Sequence, residues 1–195
     1  MQEKKTRRSN EQRTKQTRSA LIASARALFV EKGFTETSTP DIAKAAQVTR
    51  GALYHHFEDK TELFRSVILA ESETVACEIE ESTSTDMTPL EAMMEGANAY
   101  FEAMSVSGRP QLLLIEGPAI LGHVEMREID WRTGGEELRQ GLRFMLEGKK
   151  DDISIAAMAD LLSAMFDRAA LAIAAGENSG PYKTVMNNLL RNLME

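Results

Sequence analysis

Apolar residues recur along this chain at helical spacing. Leu21, Ile22, Ala25, Leu28 and Phe29 fall at i, i+1, i+4, i+7 and i+8, the stripe of an amphipathic helix, and Gly33 follows where a C-terminal cap belongs. Ser38 with Asp41 forms a capping-box pattern, with aspartate in the place of the usual glutamate, and predicts a short helix over 39–46. Asp59 with Glu62 does the same for a helix beginning at Lys60. Thr88-Pro89-Leu90-Glu91 joins a cap, a proline at the first helical position and a reciprocal acid. Further helices are expected near 109–115, 124–147, 153–176 and 181–194. Prolines number only five, and no segment longer than a few residues alternates with the period of a half-buried strand. The chain reads as all-α.

Two helices near the end are unusually apolar. Between Ile155 and Ile173 the polar residues Asp160, Ser163 and Asp167 form one narrow stripe, so this helix must be covered on more than one side. Tyr182, Val185, Met186, Leu189, Leu190 and Leu193 repeat the pattern in the last helix. Such a pair can close the chain's own core or pack against a second copy. In the middle of the chain, Met93, Met94, Tyr100, Phe101 and Met104 lie on one helix, and Trp131, Phe144 and Met145 lie on or near another. Methionines and aromatics at this spacing usually form core. Eleven methionines, however, also suit a pocket that adapts to an apolar ligand, with Arg109, Glu116, His123 and Arg127 as its polar contacts.

Residues 39–57 hold two short helical segments joined by a turn at Gln47-Val48. Ile42, Ala43 and Ala46 give the first an apolar face; Leu53 and Phe57 give one to the second, which Thr49 is placed to cap. At about 100° per residue, Gly51, Ala52 and His55 lie opposite Leu53 and Phe57, with Arg50 and Tyr54 on one flank and His56 on the other. Small residues let such a helix approach a groove floor, while long or aromatic residues at its edges reach bases and phosphates. Charge agrees. The chain carries −7, yet residues 1–60 hold twelve Lys/Arg against seven Asp/Glu, and residues 61–195 hold eleven against twenty-three. A basic head on an acidic body fits double-stranded DNA as partner of the head alone.

The stretch TSTPDIAKAAQVTRGALYHHFEDKTELF, with RSALIASARALFVEKGF before it, strongly resembles the DNA-binding signature of the TetR family of bacterial transcriptional regulators, without gaps over about 18–68. The resemblance implies an N-terminal three-helix helix-turn-helix DNA-binding domain and a C-terminal helical ligand-binding and dimerisation domain. It gives Ser38 a cap and a phosphate contact, and places Thr49, Arg50 and Gly51 at the opening of the recognition helix beside Ala52. Tyr54, His55, His56 and Lys60 match positions that meet the DNA backbone, and Arg50 and Tyr54 also stand at base-reading positions. Gln47 departs from the pattern, since glycine is usual in that turn; a positive φ there would cost glutamine about 1 kcal/mol. Residues 1–17 exceed the motif and are expected to be a basic arm on the backbone or minor groove, or a flexible tail. The expected division is therefore 1–17, 18–65 and 66–195.

In this family the last two long helices pair with their copies, which assigns Leu161, Leu162, Met165, Phe166, Leu189 and Leu190 to a homodimer interface and implies a palindromic operator. A small-molecule site, apolar in character, is implied in the C-terminal domain; its candidates are Met93, Phe101, Met104, Glu116, His123, Arg127, Trp131, Phe144 and Met145. The expected function is a repressor released from its operator by an effector. An activator of the same fold, or an architectural helical module without operator specificity, are the alternatives. Enzyme chemistry is not expected: Glu80-Glu81 and Asp151-Asp152 are neighbours that diverge by about 100° on a helix, and no glycine-rich phosphate loop or nucleophile elbow occurs. No cofactor and no metal is expected, because adjacent His55 and His56 diverge and no third ligand stands near. The single cysteine, Cys77, reads as a small apolar filler in a reducing compartment. Without a signal-peptide pattern or an uninterrupted apolar span, the expected location is cytoplasmic, with no membrane partner.

Overall fold

The computed structural model describes residues 2–84, 86–146 and 154–193; the pair Asp151-Asp152 and positions 147, 153 and 194, the ends of expected helices, lie outside them. Neither glycine nor proline occurs before residue 33, so nothing local stops a helix, and α1 (Gln2–Glu36) takes in the segment expected as an arm or tail. It breaks at Gly33, whose φ of 76° and ψ of 167° lie in a region open to glycine. Three helices follow: α2 (Thr39–Ala45), α3 (Arg50–His56) and α4 (Lys60–Ser82). The chain divides into two compact units, Met1–Leu69 and Ala70–Glu195, and α4 begins in the first and ends in the second.

The core of the first unit is assembled from one face of each helix: Leu21, Ala25 and Phe29 from α1, Ile42 from α2, Leu53 from α3, and Leu63, Phe64 and Ile68 from α4, with Phe57 just after α3. Phe64 meets Phe29 and Phe34 edge-on at centroid distances of 5.2 and 5.1 Å, a favoured aromatic arrangement. The end of α1 leaves carbonyls without helical partners. Two side chains answer them. The buried Thr37 hydroxyl donates to the carbonyls of Gly33 (2.8 Å) and Leu28 (3.2 Å). The Lys60 ammonium donates to those of Phe34 (2.8 Å), Thr37 (2.9 Å) and Thr35 (3.4 Å).

In the second unit, α5 (Pro89–Ala103) opens with the full capping box of Thr88 and Glu91. A π-helical stretch, Gln111–Glu116, then runs into α6 (Gly117–Leu121), where Pro118 has no N–H for the ladder. The helix expected over 124–147 is also divided. α7 (His123–Asp130) and α8 (Glu136–Leu146) are separated by a π-helical turn at Trp131–Gly135. Gly135 makes that turn easier to pack, since a Cβ would stand 3.1 Å from Asp130 Oδ2 and 3.2 Å from its carbonyl oxygen, close enough that Asp130 would have to shift by a few tenths of an ångström. α9 (Ile155–Ala174) and α10 (Ser179–Asn192) complete the unit.

Its core lies among α5, α8, α9 and α10 and decides several expectations. Phe101 and Met145, candidates for a ligand pocket, are buried in that core, and Met93 packs against it. Met104 is buried as well. Leu162, Phe166 and Leu190, expected at a dimer interface, also close this core, whereas Leu161, Met165 and Leu189 remain exposed. The helical period accounts for the split: neighbours in sequence face about 100° apart. Arg109 is not available to a ligand; its buried guanidinium meets Glu71 (3.0 Å), Glu78 (3.2 Å) and the Ala103 carbonyl (2.6 Å), tying α4 to the loop after α5. Cys77 is exposed, not a filler, and the Glu81 carboxylate beside it raises its thiol pKa.

Asp167, assigned by the pattern to a polar stripe, is largely enclosed and accepts a 2.6 Å hydrogen bond from the Tyr100 hydroxyl. Burial pushes its carboxyl up to about 6 from the ordinary 3.8; the hydrogen bond opposes this and the Asp130 charge adds to it. The folded chain therefore holds the Asp167 proton more tightly than the unfolded chain. The resulting stabilisation is complete below the ordinary carboxylate pKa and is lost as pH rises through about 6. Asp167→Asn, which keeps an acceptor for Tyr100 without the charge, is expected to be more stable than the native chain at pH 7.5 by about 1–3 kcal/mol, with the gap closing by pH 4.5. Urea unfolding of both proteins at the two pH values measures this.

Candidate nucleic-acid interface

α3 is only seven residues long, so its orientation comes from its ends and its anchors. The Thr49 hydroxyl caps its start by accepting the Ala52 N–H at 3.1 Å. Leu53 and Phe57 hold its inner side at 0% and 1% exposure. The turn before it places Gln47 at φ 56°, the strained conformation expected where the family pattern has glycine. α2 is capped in turn by Ser38, whose Oγ accepts the Asp41 N–H at 3.3 Å and donates to Asp41 Oδ2 at 2.6 Å.

This leaves one continuous outer surface on α3. Thr49, Arg50, Gly51, Tyr54 and His55 are exposed, while Ala52, His56 and Ser38 are half-buried. The Arg50 guanidinium stands 5.5 Å from the centre of the Tyr54 ring. The Tyr54 hydroxyl is 3.0 Å from Thr39 Oγ1, and that hydrogen bond, followed by Arg50, lowers the phenol's pKa. A polar cleft of about 410 Å³ lies beside Tyr54, bordered by Thr35, Ser38, Thr39, Asp59 and Lys60. His56 has its pKa lowered, first by partial burial and then by the charges of His55 and Arg18. The result is a small surface of donors around a glycine, suited to the edges and phosphates of a duplex.

Thr39 and Arg18 were not evident from the sequence. Thr39 fixes Tyr54 from 15 residues away; its one signal is a hydroxyl beside the cap. Arg18 lies 4.7 Å over the Phe57 ring and donates to Ser66 Oγ at 3.0 Å, contacts that no local spacing encodes. Lys60, expected at phosphate, has its ammonium on three carbonyl oxygens. Gly51 is not demanded by the fold: a Cβ there would meet nothing nearer than Thr49 Oγ1 at 3.9 Å.

The candidates for a ligand site are dispersed. One cleft in the second unit, of about 590 Å³, is lined by Arg127 and Trp131 of the expected set, together with Val124, Arg139, Ala156 and Asp160. Glu116, His123 and Phe144 do not border it, and Phe144 is 65% exposed.

The family described as "Bacterial regulatory proteins, tetR family" matches residues 21–67, and "Tetracyclin repressor-like, C-terminal domain" matches residues 90–195, more than half of the chain. The chain belongs to the TetR family. It is similar to the HTH-type transcriptional regulator AcrR of Shigella flexneri, 36% identical over 108 residues, which are 55% of this chain and 50% of that protein. It is 45% identical over 53 residues to the HTH-type transcriptional repressor BepR of Brucella suis, 27% of this chain and 25% of that protein. These matches span half or less of the relatives' length. A TetR-family transcriptional regulator from Pectobacterium atrosepticum has a similar structure, with a TM-score of 0.69 and 26% identity over 93% of this chain and 94% of that one.

Two substitutions separate fold from recognition in this TetR-family chain. Gly51→Ala is expected to raise stability by a few tenths to about 1 kcal/mol, since alanine favours helix and has room, and to weaken DNA binding if this face of α3 is the one that approaches a groove floor. Lys60→Met is expected to cost about 1–3 kcal/mol of stability, because its carbonyl partners lose a charged donor. Thermal unfolding and DNA titration of both variants read this; unchanged stability in Lys60→Met would give that ammonium to phosphate alone.

Proposed function

We propose that this protein is a homodimeric transcriptional repressor that binds a palindromic DNA operator through α3 and leaves it when a small molecule occupies the second unit. The observation that carries the reading is the outer surface of α3: Arg50, Gly51, Tyr54 and His55 exposed together on a helix whose opposite side is locked by Leu53 and Phe57. Arg50 and Tyr54 read bases, Ser38, Thr49, His55 and His56 meet phosphates, and Gly51 and Ala52 allow the close approach. Lys60 contributes by holding the turn that carries Ser38 and Thr39.

Dimer formation is supported by the apolar residues left outside the core of the second unit. Leu161 and Met165 on α9 stand one helical turn apart, as do Val185 and Leu189 on α10, with exposures of 65%, 40%, 56% and 37%. A two-fold pairing through these helices would present two copies of α3 to inverted half-sites. Effector control needs only a few kcal/mol of preference for the state that does not fit the operator. The cleft of about 590 Å³ has the size of a small-molecule site and supports that part of the reading.

Selection from random duplex DNA is expected to return an inverted repeat, with Arg50→Ala relaxing the preference at one symmetric pair of positions. A pool that stays random would favour a module without operator specificity. Leu161→Glu combined with Leu189→Glu is expected to yield a folded monomer by sedimentation and to weaken operator binding by at least about tenfold, because one head makes about half the contacts.

A further inference from the structure

The cleft of about 590 Å³ in the second unit has a chemistry that the sequence did not suggest. One wall is a single face of α7 and the π-helical turn after it: Val124, Arg127, Glu128, Trp131 and Arg132. Ala156, Ala157 and Asp160 on the first turns of α9, with Arg139 of α8, complete the lining.

Three guanidinium groups border this space against two carboxylates. Arg127 and Arg132 are exposed and have no ion-pair partner among the described residues. Arg139 is held in place: its guanidinium lies 3.8 Å from the centre of the Trp131 ring, and Nη1 donates to the Gly135 carbonyl at 3.3 Å. Its Nε, however, is shut off from solvent and has no hydrogen-bond partner among the described residues. A ligand in the cleft does not reach that shielded Nε, but Arg139 also borders the cleft, and a carboxylate is the acceptor that best matches a guanidinium's fork. Trp131 is half exposed and its indole borders the cleft. Together with Val124 and the two alanine methyls it makes an apolar slot for a flat ring.

We infer that this cleft binds an aromatic carboxylate, a planar ring lying between the Trp131 indole and the α9 alanines with its carboxylate received by Arg139 and its arginine neighbours. The inference rests on reading the second unit as an effector domain and gives that effector a chemical class. It replaces the expected apolar ligand with an anionic one. Asp160, bordering the same cleft, disfavours a second negative charge and suits a ligand whose far edge carries a hydroxyl or amine.

Trp131 is the single tryptophan of the chain, so binding has a built-in reporter. The full chain is titrated with 2-naphthoate and with neutral 2-naphthamide, by calorimetry and by indole fluorescence. The carboxylate is expected to bind at least tenfold more tightly than the amide and to perturb the Trp131 emission. Arg139→Gln is expected to weaken the carboxylate at least tenfold, and Ala157→Trp, which fills the cleft, to abolish its binding. Arg127→Gln, at an exposed position that leaves the core untouched, is expected to weaken it as well. Arg143→Gln, outside the cleft and paired with Glu136 at 3.0 Å, is expected to bind as the native chain does. Equal binding of the amide, or unchanged binding in Arg139→Gln and Ala157→Trp variants that melt as folded proteins, overturns the inference. Operator release is scored separately. Carboxylate binding that leaves DNA binding unchanged would sustain the site and count against the effector reading. Release by another compound that does not need the cleft would sustain the effector reading and overturn the site.

Discussion

The ammonium of Lys60 holds the segment on which the rest of the N-terminal unit is set. At Gly33 the first helix breaks, and carbonyls on either side of the break and in the turn that follows are met by side chains. One cation from the start of α4 gathers three of them, while the Thr37 hydroxyl takes two more. Because a hydrogen bond to a charged donor is worth more than a neutral one, this small cluster fixes where α2 begins. Ser38 can then cap α2, Thr39 can reach Tyr54, and α3 is presented with its aromatic edge already oriented. α4 carries the same economy into the second unit, where Glu71 and Glu78 receive the buried guanidinium of Arg109. A buried arginine left without those carboxylates would be strongly destabilising, so this loop and this helix are bound to one another.

Glycine serves opposite ends at two places. At Gly135, in the π-helical turn, the backbone and carboxylate of Asp130 come so close that a Cβ would force Asp130 to shift by a few tenths of an ångström. At Gly51 there is room for a methyl group, so the missing side chain does nothing for the packing of this chain. A methyl group there would leave the packing as it is, so Gly51 has the proposed groove contact, and not the fold, as its reason.

The second unit shows how apolar composition and cavity location can part company. Methionines and aromatics were natural candidates for a ligand pocket, yet Phe101 and Met145 fill the core they were expected to open. Close packing leaves little void where flexible thioethers can adapt to the gaps. Space remains beside Ala156 and Ala157, among Arg127, Arg132, Arg139, Glu128 and Asp160, and there the lining is largely charged. The enclosed Tyr100–Asp167 pair makes the same point from the other side, since a residue on a polar stripe of α9 is drawn into the core by a partner on α5.

The amino-acid sequence by itself determined the helical class, the helix-turn-helix and its inner and outer faces, because caps, turns and the helical period are local. Ser38, Thr49 and Thr88 cap where their spacing places them, Gln47 takes the strained turn, and Leu53 and Phe57 turn inward. What the tertiary structure alone decided depends on residues far apart in the chain. Thr39 found Tyr54, Lys60 turned to carbonyls 23 to 26 residues earlier, and Leu162 and Leu161 parted to core and surface. The arginine-lined cleft arose between helices that share no pattern. A period reports which residues share a face; only the packing of the other helices decides what that face meets.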